Sequence, residues 1–138
     1  MLYRKPSGSV LEAIGNTPLV RLRRTVEHLP AEIFAKLEFM NPMGSSKDRI
    51  SKYMIEAAER DGRLKPGDLI LENSSGNTAM GLALMAIQKG YRIKVVVRDT
   101  ISQEKLNQLL ALCAPLSGKR MPVLIPARRL PSRHRRGT

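Results

Sequence analysis

The sequence has 138 residues, with 24 Lys and Arg against 12 Asp and Glu, for a formal charge of +12. Its 42% apolar content supports a core and excludes a wholly disordered chain, while the length suits one domain and is short for a two-domain enzyme. The single Cys113 excludes an intrachain disulfide framework. No apolar run approaches the ~20 residues that span a bilayer, and the N-terminus lacks a secretory pattern, so a soluble, cytoplasmic protein is expected.

The charge is unevenly placed. Residues 1–112 carry 17 basic and all 12 acidic residues, a net of +5, whereas residues 113–138 carry seven basic residues and no acid. A basic excess is a footprint of phosphate binding. The tail, however, has no aromatic on which a base could stack, and random basic tails hold polyanions only through salt-sensitive charge. A basic nucleic-acid module is therefore the weakest of the functional readings.

Along the chain, Thr17–Leu22 reads as a short strand after the Gly15-Asn16 turn, and Glu32–Phe39 alternates as a half-buried strand. After the Asn41-Pro42-Met43-Gly44 break, Ile50, Met54, Ala57 and Ala58 fall at helical spacing between Ser46 and about Asp61, with Gly62 as the stop. Asp68–Glu72 reads as the next strand. Ala79–Lys89 is apolar nearly all round and predicts a buried helix, capped by Gly90. Tyr91–Val97 is a β-branched strand, and Thr100 with Gln103 resembles a capping box opening a helix through Leu106, Leu109 and Leu110. Strands separated by helices of this length predict an α/β fold of βαβ units on a parallel sheet. The periodicity stops at Cys113. Residues 1–112 are therefore expected to form the folded part, and residues 113–138 a disordered basic, Pro/Arg-rich tail.

Two loops end a strand and open a helix, where ligands collect in parallel sheets. In Asn41–Arg49, Gly44, Ser45 and Ser46 allow a tight turn with free amides, and Lys47 sits in the first helical turn. Such a lysine can serve as a nucleophile, or the loop can be a capped helix with a solvated lysine. In Ser74-Ser75-Gly76-Asn77-Thr78, four hydrogen-bonding side chains surround one glycine. They can hold a carboxylate or phosphate, although an ordinary N-cap would use one of them. His28, His134 and Cys113 stand apart and show no metal-ligand spacing.

Taken in order, Ile14-Gly15-Asn16-Thr17-Pro18-Leu19-Val20, Lys36-Leu37-Glu38, Asn41-Pro42, Gly44–Arg49, Gly62–Asp68 and Ser75–Thr78 resemble the N-terminal portion of the cysteine synthase and cystathionine β-synthase family, the fold-type-II pyridoxal-phosphate enzymes. The resemblance covers roughly residues 10–112. It implies that Lys47 holds pyridoxal 5'-phosphate as a Schiff base and moves the substrate's α-proton. It further implies that Asn77 bonds the cofactor's ring hydroxyl, and that Ser74, Ser75, Gly76 and Thr78 clasp the substrate carboxylate. The family reaction is β-replacement on an activated serine such as O-acetylserine, with sulfide as the acceptor for cysteine synthase. A homodimer acting on a small amino acid, away from membranes and nucleic acid, is the expected setting.

The sequence departs from the family pattern at Met43 (usually Gly), Ser74 (usually Thr), Ala79 (usually Gly) and Arg98 (usually Pro), which could shift substrate choice. Its ten glycines include no counterpart of the later phosphate-holding loop. Cys113-Ala114-Pro115 replaces the usual Gly-Ala-acidic continuation, and a change of reading frame near codon 113 is the expected origin of the tail. The expectation is thus a truncated cysteine synthase-like enzyme. Its alternatives are a cystathionine β-synthase-like enzyme and a non-catalytic fragment lacking the phosphate site.

Overall fold

The computed structural model describes residues 6–98, 100–113 and 123–127. Strand β1, Leu19–Arg21, pairs antiparallel with β2, Phe34–Lys36, and these two form a small sheet of their own. The expected longer strands at Thr17–Leu22 and Glu32–Phe39 are thus trimmed. Beyond β2 the chain winds into a 3-10 turn, Glu38–Met40, because the Glu38 and Asn41 side chains are drawn into a polar network described below.

Helix α1, Lys47–Arg60, leads to β3, Leu69–Glu72. Helix α2, Asn77–Lys89, follows, and Gly90 closes it in the left-handed conformation (φ 76°) with its amide on the Ala86 carbonyl. Strand β4, Arg92–Arg98, lies parallel to β3 with Ile70 opposite Ile93, the expected βαβ unit. Helix α3 spans Gln103–Cys113. Ser102, not Thr100, takes its first-turn amide, with Oγ accepting from the Lys105 N–H at 3.4 Å.

A third parallel strand, β5, occupies Val123–Ala127 beside β4, giving the order β3-β4-β5. This strand lies within the segment expected to be a disordered tail. The triplet Val123-Leu124-Ile125 is a strand-forming run hidden within basic sequence. Pro126, which cannot donate a ladder bond, is admitted because β5 is an edge strand. The remainder of the expected tail, 114–122 and 128–138, lies outside the described residues.

Ile70, Ile93, Val95 and Val97 form one sheet face and join Leu82, Ala83, Met85, Ala86 and Leu109 in the core. The other face is open among the described residues, where Leu71 is 66% exposed. Among the described residues no helix is long and apolar enough to cross a membrane.

Helix α1 forms at the expected spacing, but its buried line is not the line of apolar residues. Ile50 and Met54 are 43% and 49% exposed, and the buried line is Asp48, Ser51 and Ile55. The spacing is helical in both cases, but small and polar residues face inward because α2 comes too close for large ones. A Cβ placed on Gly81 would lie 2.5 Å from Ser51 Oγ and 3.1 Å from both Ser51 Cβ and the Lys47 carbonyl oxygen. At the other end, the Glu59 carboxylate takes Lys89 Nζ at 2.6 Å and the Tyr91 hydroxyl at 2.7 Å. Start meets start and end meets end, so α1 and α2 run side by side in the same sense.

Gly81→Ala should therefore lower stability by up to about 2 kcal/mol, because overpacking (about 1–3 kcal/mol) works against the helix-propensity gain of alanine (about 1 kcal/mol). Adding Ser51→Ala should recover part of the loss. Urea denaturation of the single and double variants reads the coupling, and strict additivity would refute the contact.

Candidate active site

The parallel pairing of α1 and α2 brings two helix N-termini to one end of the molecule. Each N-terminus presents unpaired backbone amides and the positive end of a helix dipole, so together they favour an anionic group. Both loops singled out in the sequence open onto this end.

The first loop is a short, tied turn. The Gly44 amide bonds to the Asn41 carbonyl at 2.8 Å, with Gly44 at φ 76°. Ser45 Oγ accepts from the Lys47 N–H at 3.1 Å, while Ser46, at the cap position, makes no side-chain cap bond. Lys47 is the first residue of α1 and is half-buried. Its carbonyl edge faces Gly81, which lies one helical turn (~5.4 Å) along α2 from Asn77 and on the same face.

The second loop is capped by Gly76 itself (φ −122°), without a side-chain cap bond. Ser74 Oγ turns inward to accept the Gly76 N–H at 3.1 Å. The hydroxyls of Ser75 and Thr78 and the amide of Asn77 are therefore not consumed by capping, which disfavours the plain N-cap reading. Ser74, Ser75, Gly76 and Thr78 are half-buried, and Asn77 is exposed at the mouth. The structure thus gathers Lys47 and the residues 74–78 around adjoining helix starts.

A supporting network went unread in the sequence. The Glu38 carboxylate accepts from Arg49 Nε at 2.8 Å and Nη2 at 3.0 Å, from the Thr17 hydroxyl at 2.8 Å, and from Asn41 Nδ2 at 3.0 Å. Asn41 Oδ1 in turn accepts from the Gly15 N–H at 2.9 Å, and Lys36 Nζ donates to the Thr17 carbonyl. These residues fix the start of the Lys47 loop to the N-terminal segment. Bonding from Arg49 first, then from Thr17 and Asn41, lowers the Glu38 carboxyl from 4.5 to about 2. The reciprocal bond raises Arg49 above its ordinary value. The available signal was the recurrence of Thr17, Glu38, Asn41 and Arg49 within the resembling segments; nothing in spacing alone joins residues 32 positions apart.

Asp48 was likewise missed. It is fully buried, Oδ2 accepts from the Met43 N–H at 2.6 Å, and burial pushes its carboxyl above the ordinary range against the lowering effect of that bond.

These donors fit pyridoxal phosphate in kind: a primary amine for its aldehyde, an amide for its ring hydroxyl and a hydroxyl-rich helix start for an anion. Asp48 Oδ1 and Ser51 Oγ, buried without a partner among the described residues, mark the floor beside them as polar. No second Gly- and Thr-rich loop accompanies them among the described residues. The site is an open mouth. Two concavities lie elsewhere, one of about 420 Å³ lined by Tyr53, Ala57, Leu64, Leu71 and Leu82, and one of about 440 Å³ in the Arg21–Glu32 segment.

Known proteins similar to this chain fall in one family. The model of the pyridoxal-phosphate dependent enzyme family matches residues 10–116. Cysteine synthase of Staphylococcus aureus is 48% identical over 115 residues, covering 83% of this chain and 37% of that protein. Cystathionine β-synthase of Rattus norvegicus is 53% identical over 109 residues, covering 78% of this chain and 19% of that protein. The crystal structure of cysteine synthase from Entamoeba histolytica superposes with a TM-score of 0.80 at 36% identity, covering 91% of this chain and 36% of that one. The chain thus spans little more than a third of the cysteine synthases it matches.

The lowered Glu38 carboxyl sets a pH dependence. A carboxyl depressed on folding stabilises fully above its ordinary value of 4.5, and this contribution fades as pH falls toward about 2. Wild type should therefore be more stable than Glu38→Gln at neutral pH, with the gap closing between these values. Denaturation midpoints at stepped pH measure it, and a gap constant down to pH 2 would contradict the assignment.

Proposed function

The chain belongs to the pyridoxal-phosphate dependent enzyme family, and from that premise we propose that it carries the reacting-amine half of a cysteine synthase-type site. The reaction is β-replacement on an activated serine, such as O-acetylserine, with sulfide as the acceptor. The observation that carries the reading is the meeting of two helix starts, one bearing Lys47 and the other bearing Asn77 and the hydroxyl loop.

When bound, the cofactor supplies an electron-withdrawing ring that stabilises negative charge at the substrate's α-carbon. Lys47 is the residue whose amine would hold the cofactor, and the same amine would take and return the proton at that carbon. Asn77 orients the ring through its hydroxyl. Ser75 and Thr78 present hydroxyls, and the helix start presents amides, to the substrate carboxylate. Ser74 shapes the loop through its bond to the Gly76 N–H, and Gly76 keeps the backbone open to the ligand. The loop's rigidity directs which α-substituent faces Lys47, since orientation of a bound reactant accounts for much of the barrier lowering available here.

In this reading the partner is a small amino acid, with no role for nucleic acid or a membrane, and the complete enzyme is a cytoplasmic homodimer. A cystathionine β-synthase-like activity is the second reading, favoured by the 53% identity to the rat protein. Its acceptor would be homocysteine in place of sulfide.

Mixing the purified chain with pyridoxal phosphate should produce visible absorbance, and borohydride reduction should place one cofactor mass on Lys47. Lys47→Ala should lose both signals. No absorbance in the parent chain, or a band that persists in Lys47→Ala, would defeat the proposal and favour the non-catalytic fragment. Supplying O-acetylserine with sulfide or with homocysteine then separates the two acceptor readings.

A further inference from the structure

We infer that Asp48 is a positioning residue, a buried latch that holds the Asn41–Ser46 turn closed and thereby fixes the direction in which Lys47 leaves α1. The inference rests on the reading of Lys47 as the reacting amine.

A carboxylate in the first turn of a helix gains from the dipole while remaining in solvent. Asp48 instead has no exposure: its Oδ2 accepts from the Met43 N–H at 2.6 Å, and its Oδ1 lacks a partner among the described residues. Burying such a group is costly unless it is well paired. The bond reaches back five residues, across Gly44, Ser45 and Ser46, and so closes the part of the loop that immediately precedes Lys47. Ser45 closes the other side by taking the Lys47 amide, and the cap residue Ser46 adds no side-chain bond. Lys47 is therefore held between two short loop bonds, of which only the one from Asp48 bridges the turn.

The other wall is equally restrictive. Ser51, one turn beyond Asp48, is fully buried against Gly81, and the Lys47 carbonyl lies at the same contact. The helix cannot shift away from α2 without opening this seam. With the backbone pinned on the α2 side and latched on the loop side, the position of the Lys47 Cα is over-determined, as a reacting group requires.

Asparagine at position 48 keeps an acceptor for Met43 and puts an amide donor where the unpartnered oxygen lies, whereas alanine removes the bond. In the full chain, Asp48→Ala should speed hydrogen exchange at the Met43 amide by roughly tenfold to a hundredfold, the scale of one hydrogen bond to a charged group. Exchange in α2 at Leu82–Met85 should stay within about threefold of the parent, as should exchange throughout Asp48→Asn. Capture of pyridoxal phosphate at Lys47, read by absorbance and borohydride mass, should slow about tenfold or more in Asp48→Ala and recover in Asp48→Asn.

Unchanged Met43 exchange in Asp48→Ala, or acceleration spread evenly over α1 and α2, would overturn the latch. If Asp48→Ala does not fold, Asp48→Asn decides: a loosened Met43 amide in that variant overturns it and a parent-like amide supports it. Undiminished capture in Asp48→Ala would remove the latch and leave the Lys47 reading intact. A loosened loop in a chain whose parent never captures the cofactor would leave the latch standing and remove that reading.

Discussion

The site depends on the absence of one side chain. At Gly81 the backbone of α2 comes close enough to α1 that a single added carbon would meet Ser51 Oγ at 2.5 Å. That proximity lets the first turns of two helices lie flank to flank, and the Glu59–Lys89–Tyr91 cluster holds their far ends in the same alignment. Two parallel helices so joined have their positive ends together. The chemistry assigned to Lys47 and to the 74–78 loop needs both loops at one place, and this contact brings them there.

The polar architecture behind the helices serves the same end. Glu38 gathers Arg49 from α1, Thr17 from the N-terminal segment and its near neighbour Asn41 around one carboxylate. Because Arg49 follows Lys47 and Asn41 precedes it, the network grips the loop on both sides without occupying it. Asp48 makes the internal tie across the turn. The result is a lysine whose surroundings are fixed by side chains that do not themselves face the mouth, the usual division between groups that react and groups that orient them.

Family membership and fold agree, but the chain covers only 37% of the S. aureus cysteine synthase it matches. One sheet face is left open at Leu71 among the described residues, and a parallel sheet is ordinarily covered on both. The concavities of about 420 and 440 Å³ also lie away from Lys47. These facts are consistent with a site whose walls come from more than the described residues.

Local patterns were enough to locate α2, β4 and the two loops, since a continuous apolar run, a β-branched run and strand-to-helix breaks are properties of neighbouring residues. The Lys47 and Ser74–Thr78 candidates were legible for the same reason, strengthened by the order of the resembling segments. Periodicity located α1 but not its buried line, for Ile50 and Met54 turn outward while Asp48 and Ser51 turn in. Spacing defines a helical face but not what will be packed against it. At β5 a Val-Leu-Ile run sits in a segment with seven basic residues, and it gains its partner strand only beside β4. The sequence by itself determined which elements form and which loops carry reactive groups. Tertiary structure decided which faces are buried, which carboxylates are paired, and that two helix starts 30 residues apart in sequence meet, because those outcomes depend on close approach between segments that no local pattern encodes.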